Sequence, residues 1–280
     1  MNATLLHEPF TVLDGGLSTA LQEMGEAPSG LLWTAAALVD RPHIIVEAHR
    51  RFVEAGADVV ITSSYQASVP GFVDAGLSEP EARRVLASTT AVARASGASL
   101  VAASVGPYGA VLGDRSEYHG RYAASWGDVR AFHRARLEVL VDSQPDLFAI
   151  ETIPTAVEAE IIVDELRRLT DAPAWVTFTC VDELRTCGGE PLADAVAGVV
   201  AAVQAVGVNC TKPSNVAPLL ASLPAGVPLV AYPNHFDEPD VDFASLVPAW
   251  RSAGARIIGG CCGVGPEGIR SLATVRRTLA

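Results

Sequence analysis

Short runs rich in β-branched and aromatic residues recur along the chain at positions 11–13, 59–62, 100–104, 147–150, 175–179, 206–209, 229–232 and 256–259. Such runs, four or five residues at most, read as buried strands. Between them, apolar residues return every three or four positions, which predicts amphipathic helices over 42–54, 79–95, 129–141, 156–169, 193–203 and 243–253. Pro42 and Pro266 stand where a first helical turn tolerates proline, and Gly97 follows a helix end. No Pro/Ser-rich linker, charge block or repeat interrupts the alternation. The pattern predicts an α/β chain folded as a single (β/α)8 TIM-type barrel, with residues 1–280 as one domain.

Barrels of this kind collect their chemistry at the C-terminal ends of the strands. The polar residues that stand out fall there. Asp14 follows strand one, Ser63 and Ser64 strand two, Glu151 strand four, Cys210 strand six, Asn234 strand seven, and Cys261 with Cys262 strand eight. The run Ile257-Ile258-Gly259-Gly260-Cys261-Cys262-Gly263 organises the rest. Neighbouring strand residues point to opposite faces, so two adjacent sulfurs face one centre only if the backbone turns sharply, which flanking glycine permits. With Cys210, three thiolates converge from two strand ends, a set that suits Zn2+ and leaves a fourth tetrahedral position for a reactant. The alternative is three buried thiols packed as small hydrophobes, for which adjacent cysteines between glycines are poor material.

The other candidates carry two readings each. Asp14 in Asp14-Gly15-Gly16-Leu17-Ser18 is a turn residue with Ser18 capping the next helix, or a carboxylate at the mouth. Glu151 must have a partner there, either a structural ion pair or, together with Asp14, the α-ammonium group of a substrate. Cys180 is expected to be structural and Cys187 an exposed loop thiol, since their spacing fits no zinc pair. His235 is the one histidine near the mouth, whereas His7, His43, His49, His119 and His133 are surface or helix-packing residues.

Composition narrows the function further. At 49 % apolar the chain can bury a large core, and its net charge of -12 argues against nucleic acid and anionic membrane as partners. The apolar region 192–208 is broken by Asp194, Gly198, Gln204 and Gly207, so it is no membrane span. The N-terminus lacks the basic and apolar regions of a signal peptide, and five cysteines make no disulfide framework, so a cytoplasmic protein is expected. The sequence has no His-Glu-x-x-His, Gly-x-Ser-x-Gly or Walker motif. Gly263 to Gly268 matches a dinucleotide fingerprint, but Glu267 places negative charge where a phosphate would sit.

Six ordered motifs then carry a resemblance: Asp14-Gly15-Gly16, Ile61-Thr62-Ser63-Ser64-Tyr65-Gln66-Ala67, Ser104-Val105-Gly106-Pro107-Tyr108-Gly109-Ala110, Glu151-Thr152-Ile153-Pro154, Gly207-Val208-Asn209-Cys210 and Gly259-Gly260-Cys261-Cys262-Gly263. Together they resemble the zinc-dependent homocysteine S-methyltransferases over about residues 11–275, in particular the bacterial and plant branch that uses S-methylmethionine. The resemblance implies a barrel with Zn2+ on Cys210, Cys261 and Cys262. It also implies homocysteine held by Asp14 and Glu151, with the amides near Gly15 assisting; Ser63 and Asn234, past their own strand ends, are further substrate-binding candidates. Two segments depart from that branch. The stretch after strand seven, residues 232–239, is shorter, and the early loop Ser29-Gly30-Leu31-Leu32-Trp33 lacks an acidic residue near Gly30.

The implied reaction is in-line attack by a zinc-bound homocysteine thiolate on the methyl of a sulfonium donor, giving methionine. A free alkyl thiol has a pKa of about 8.5 and is mostly protonated at neutral pH, so the metal supplies the nucleophile. The carrier leaves as a neutral thioether and needs no general acid, which agrees with the shortage of histidines at strand ends. Tyr65, Gln66, Tyr108 and Trp33 are candidate walls for the donor, each with ordinary barrel packing as the alternative. The competing functions are the same scaffold acting with S-adenosylmethionine, a betaine or another thiol, and a non-catalytic zinc or redox thiol sensor. Asp14 and Glu151 favour the enzyme, because a sensor has no use for an amino-acid clamp.

Overall fold

The β-branched runs fold as strands β1 (Thr11–Val12), β2 (Val59–Ile61), β3 (Leu100–Val105), β4 (Leu147–Ile153), β5 (Ala174–Phe178), β6 (Ala205–Asn209), β7 (Leu229–Tyr232) and β8 (Ala255–Ile258) in a computed structural model that describes residues 6–26 and 35–279. All eight are parallel, in the order β1-β8-β7-β6-β5-β4-β3-β2. Parallel neighbours require a crossover, and the intervening helices supply it. The two ends of the sheet meet where Leu13 pairs with Val59. The Asp14 amide donates to the Val59 carbonyl at 3.1 Å, and the Asp58 amide to the Val12 carbonyl at 2.8 Å. Strand β1 is too short to continue this ladder, so the Asp14 side chain extends it, its Oδ2 accepting from the Ile61 amide at 2.9 Å. The expected (β/α)8 barrel is the fold observed.

The period of two sorts side chains between two cores. Leu147, Ala149, Trp175, Val230, Tyr232 and Ile257 pack inside the barrel, while Phe148, Ile150, Val176, Ala231 and Ile258 face the helices. Glu151 follows Leu147 and Ala149 on the inward set. The register of β4 against β5 then shifts between Ile150 and Ile153, and Thr152 adopts φ 60°. This bulge carries β4 three residues beyond its expected end. Asn209 holds it, accepting from the Thr152 amide at 2.7 Å and donating to the Thr152 hydroxyl at 2.8 Å.

Four of the six expected helices form over nearly their full length, as Pro42–Ala55, Glu79–Arg94, Trp126–Asp142 and Ala156–Leu169. The helix expected over 193–203 stops at Ala197 and gives way to a 3-10 turn at Val200–Ala202. Gly198 and three valines within five residues are weak helix formers, and apolar periodicity alone does not overcome them. The helix expected over 243–253 begins as a 3-10 turn, Phe243–Leu246, and restarts as Val247–Ser252 with Pro248 in its first turn, where the missing amide hydrogen costs nothing. No helix among the described residues is long and apolar enough to cross a membrane.

Candidate active site

The thiol turn after β8 is fixed from both sides. The Gly260 amide donates to the Asp14 carbonyl at 3.1 Å, and the Cys261 amide to the Pro233 carbonyl at 2.9 Å. The Cys262 carbonyl accepts from the His235 amide at 2.8 Å. Gly263 takes φ 83° to complete the turn. Gly16 packs so closely beneath it that a methyl group there would stand 2.7 Å from the Cys261 carbonyl oxygen. Across the mouth, Cys210 itself adopts the left-handed conformation, φ 48°, its amide bonded to the Tyr232 carbonyl and its carbonyl accepting from the Thr179 hydroxyl. A non-glycine residue in that region costs energy that the surrounding contacts must supply.

The outcome is one cluster. The Cys262 sulfur lies 4.0 Å from those of Cys210 and Cys261, and all three lie within 4.8 Å of one another. Tetrahedral zinc–thiolate geometry, with bonds of about 2.3 Å, separates its sulfurs by roughly 3.8 Å, so the spacing fits a metal held by all three. The charges agree. Hydrogen bonds from Cys210 and then Cys261 hold the Cys262 thiol well below its ordinary range, so one anion is shared by two thiols. A cation is what would let all three ionise together.

A cavity of about 130 Å³ opens beside the cluster and brings Asp14, Gly15, Ser63 and Glu151 together with all three cysteines. Asp14 and Glu151 are buried, at 3 % and 7 % exposure. Burial raises the Asp14 carboxyl well above its ordinary range, against the Ile61 amide and with the Glu151 charge adding to the rise. Burial likewise pushes Glu151 up to about 7, against hydrogen bonds from Ser104 and Tyr232. Among the described residues neither carboxylate has a charged partner: His49 Nδ1 lies 4.0 Å from Asp14 Oδ2, but burial holds that ring's pKa down at about 4 and leaves it neutral. The Ser63 hydroxyl is also buried without a hydrogen-bond partner and is free for a ligand, whereas Ser64 is committed to the Ser104 carbonyl. Beneath lies a satisfied polar layer in which Thr177 joins Asn209 at 2.8 Å and Tyr232 at 2.8 Å, and Trp175 donates to Tyr232 at 3.1 Å.

Several expectations need correction. Asn234 does not join Asp14 and Glu151. It lines a second cavity of about 710 Å³ and is bonded to Asp237 at 3.2 Å. The His235 ring turns away from the mouth to the Val241 carbonyl and the Phe243 ring. Cys187 is half-buried beside Cys180 in that second cavity rather than an exposed loop thiol. Ser18 caps nothing, since Gly16 occupies the N-cap of helix Leu17–Glu23. Tyr65 and Gln66 line the first cavity, but Tyr108 packs edge-on against Tyr122 and Phe132. Trp33 and the 29–33 loop lie outside the described residues.

Sequence reading missed two features. Glu117 and Tyr118 line both cavities, and the Tyr118 hydroxyl lies 3.7 Å from the Cys210 sulfur. The available signal was an acidic–aromatic pair between Gly113 and Gly120, just past the 104–110 motif. Behind the first cavity a buried network ties its wall together. Arg136, 1 % exposed, donates to the Gly106 carbonyl, approaches the Tyr65 carbonyl at 3.5 Å and donates to His133 Nδ1 at 3.0 Å. His133 Nε2 then donates to Glu158, which also accepts from the Tyr108 amide and the Tyr122 hydroxyl. Burial holds the His133 pKa down at about 4, so the ring is neutral and this single tautomer satisfies both neighbours.

Comparison with known proteins assigns this arrangement. Residues 11–276 match the family model described as homocysteine S-methyltransferase. Homocysteine S-methyltransferase of Escherichia coli is 38 % identical, covering 97 % of this chain and 97 % of its own, and YbgG of Bacillus subtilis is 36 % identical, covering 97 % and 96 %. Homocysteine S-methyltransferase 1 of Zea mays is 36 % identical over 94 % and 93 %. The metallated crystal form of E. coli homocysteine methyltransferase MmuM superposes with a TM-score of 0.88, at 38 % identity over 95 % of this chain and 96 % of that one. A thiol cluster on a barrel mouth, beside a carboxylate-lined cavity and within a sequence this similar throughout, identifies the chain as a member of the homocysteine S-methyltransferase family.

Proposed function

We propose that the chain, acting as one barrel domain, methylates homocysteine from a sulfonium donor, S-methylmethionine in preference to S-adenosylmethionine or a betaine, with Zn2+ held by Cys210, Cys261 and Cys262. One observation carries this reading: three sulfurs within 4.8 Å of one another border the cavity that contains Asp14 and Glu151. When bound, the metal would stabilise the thiolate form of the substrate sulfur at neutral pH. The chain's own residues do the rest. Asp14 and Glu151 take the substrate ammonium, Ser63 and the backbone near Gly15 take its carboxylate, and the polar layer under Tyr232 keeps Glu151 aimed inward. Holding the sulfur at the cavity's lip turns a bimolecular encounter into an oriented one.

Methionine formation by metal-loaded protein, measured with each of the three donors and repeated after chelation, tests the proposal. S-methylmethionine should be turned over fastest, and chelation should abolish the rate. A higher kcat/KM for a betaine overturns the donor assignment, and full activity after metal removal overturns the metal.

The raised Glu151 pKa gives a second expectation. Because its folded value lies near 7, above the ordinary carboxylate range, the empty site favours the protonated form, and stability from this group is lost as pH rises through 7. The ligand ammonium needs the ionised form. Methionine, which has no thiol to titrate, should therefore bind about tenfold tighter at pH 8 than at pH 6. Calorimetry would show this slope flattened in Glu151→Gln.

A further inference from the structure

We propose that the methyl donor binds in the second cavity, with Glu117 facing its positive sulfur and Tyr118 forming the wall shared with the homocysteine site. The proposal rests on the sulfonium reading above and adds where that donor sits. The two cavities have Glu117, Tyr118, Cys210 and Cys262 in common, so a molecule in either one abuts the same sulfurs. The first, at about 130 Å³, is the smaller, on the scale of cavities that hold a single small molecule. The second, at about 710 Å³, has the size of an ordinary ligand pocket. In-line displacement needs the substrate sulfur, the transferred methyl carbon and the donor sulfur on one line, so the two substrates must meet sulfur to methyl. Two cavities meeting at the thiol cluster allow that encounter.

The chemistry of the second cavity suits a cation. Glu117 Oε2 is buried with no hydrogen-bond partner, a costly state for a carboxylate that a positive ligand would relieve. Tyr118 and Phe236 offer exposed aromatic faces, at 42 % and 65 % exposure, to which a sulfonium is attracted. Asp237 adds a second carboxylate, and Arg115 and Lys212, both exposed at the rim, suit the carboxylate end of an amino-acid donor.

In the transfer, the homocysteine thiolate forms a new sulfur–methyl bond while the donor's sulfur–methyl bond breaks, its electron pair staying on the donor sulfur. One anion and one cation become two neutral thioethers, and no proton moves. The positive charge that Glu117 faces is thus greatest in the bound ground state and fades as the bond breaks. Losing Glu117 should weaken donor binding far more than it slows the bound complex.

Steady-state kinetics of metal-loaded Glu117→Gln should show the KM for S-methylmethionine raised roughly tenfold, with the homocysteine KM and kcat changed by less than about twofold. Tyr118→Leu should raise the same KM. Calorimetry on metal-stripped protein, where nothing is turned over, should show S-methylmethionine binding weakened in Glu117→Gln and retained in Ser63→Ala. An unaltered donor KM in both variants, or donor binding lost in Ser63→Ala instead, overturns the assignment. If the unmodified enzyme turns over no sulfonium at all, the reading of its function fails; if it does and the variants match it, only the placement fails.

Discussion

Cys262→Ala should strip the protein of its metal and lower methyl transfer at least a hundredfold. Cys262 is the centre of the cluster, accepting from both other thiols at 4.0 Å and lining both cavities. Four-ligand zinc sites bind with about 10–16 kcal/mol, so each ligand is worth roughly 3–4 kcal/mol, or two to three decades in affinity. The substitution removes the sulfur that ionises first and leaves two thiols with little hold on a divalent ion. Metal content per chain by elemental analysis, read beside the rate at saturating homocysteine, separates this from a substrate effect. Asp14→Asn is the contrast, since it should raise the homocysteine KM and keep the metal. A Cys262→Ala protein that purifies with one zinc per chain would falsify the three-thiolate site.

The parts of this site that were legible in sequence are those whose position follows from strand register. Glu151 lies on the inward set two residues beyond Ala149, and Asp14, Cys210, Cys261 and Cys262 lie directly past strand ends, so counting strands was enough to gather them. Residues further along the loops escaped the same logic. Asn234 also follows its strand closely, yet its bonds to Asp237 turn it into the neighbouring cavity, and no periodicity encodes a turn of that kind. Tyr108 looked like a pocket wall because of its motif. Its backbone amide is instead drawn to buried Glu158, from a helix about fifty residues away, which packs the ring among Tyr122 and Phe132. Glu117 was hidden for the converse reason, being a polar residue in a loop, where polar residues are ordinary; only the fold places it on the wall of both cavities.

The largest stability effect is expected from Arg136→Met, a change of similar length that removes only the guanidinium. Burial lowers that group to about 10, so it is charged at neutral pH in a place where charge is expensive. It is tolerated because the Gly106 carbonyl and His133 Nδ1 accept from it, Phe132 lies under it at 5.0 Å, and Glu158 supplies the opposite charge one imidazole away. Removing it leaves two acceptors unpaired and a buried carboxylate without its counter-charge, a loss of about 3–5 kcal/mol. For a chain of this size that is a fall in Tm of roughly 10 °C. Arg134 sits on the same helix and pairs with Glu165 at 2.7 Å, but its side chain is 48 % exposed, and Arg134→Met should leave the Tm nearly unchanged. Thermal melts of the two variants side by side test the difference; equal Tm values would mean that the buried relay does not hold the wall. The same residue joins stability to the site, because the carbonyls Arg136 gathers belong to Tyr65 and Gly106, one lining the first cavity and the other packed against the Tyr65 ring. Arg136→Lys, which keeps the charge but not the planar fork, should recover part of the Tm while leaving the homocysteine KM elevated.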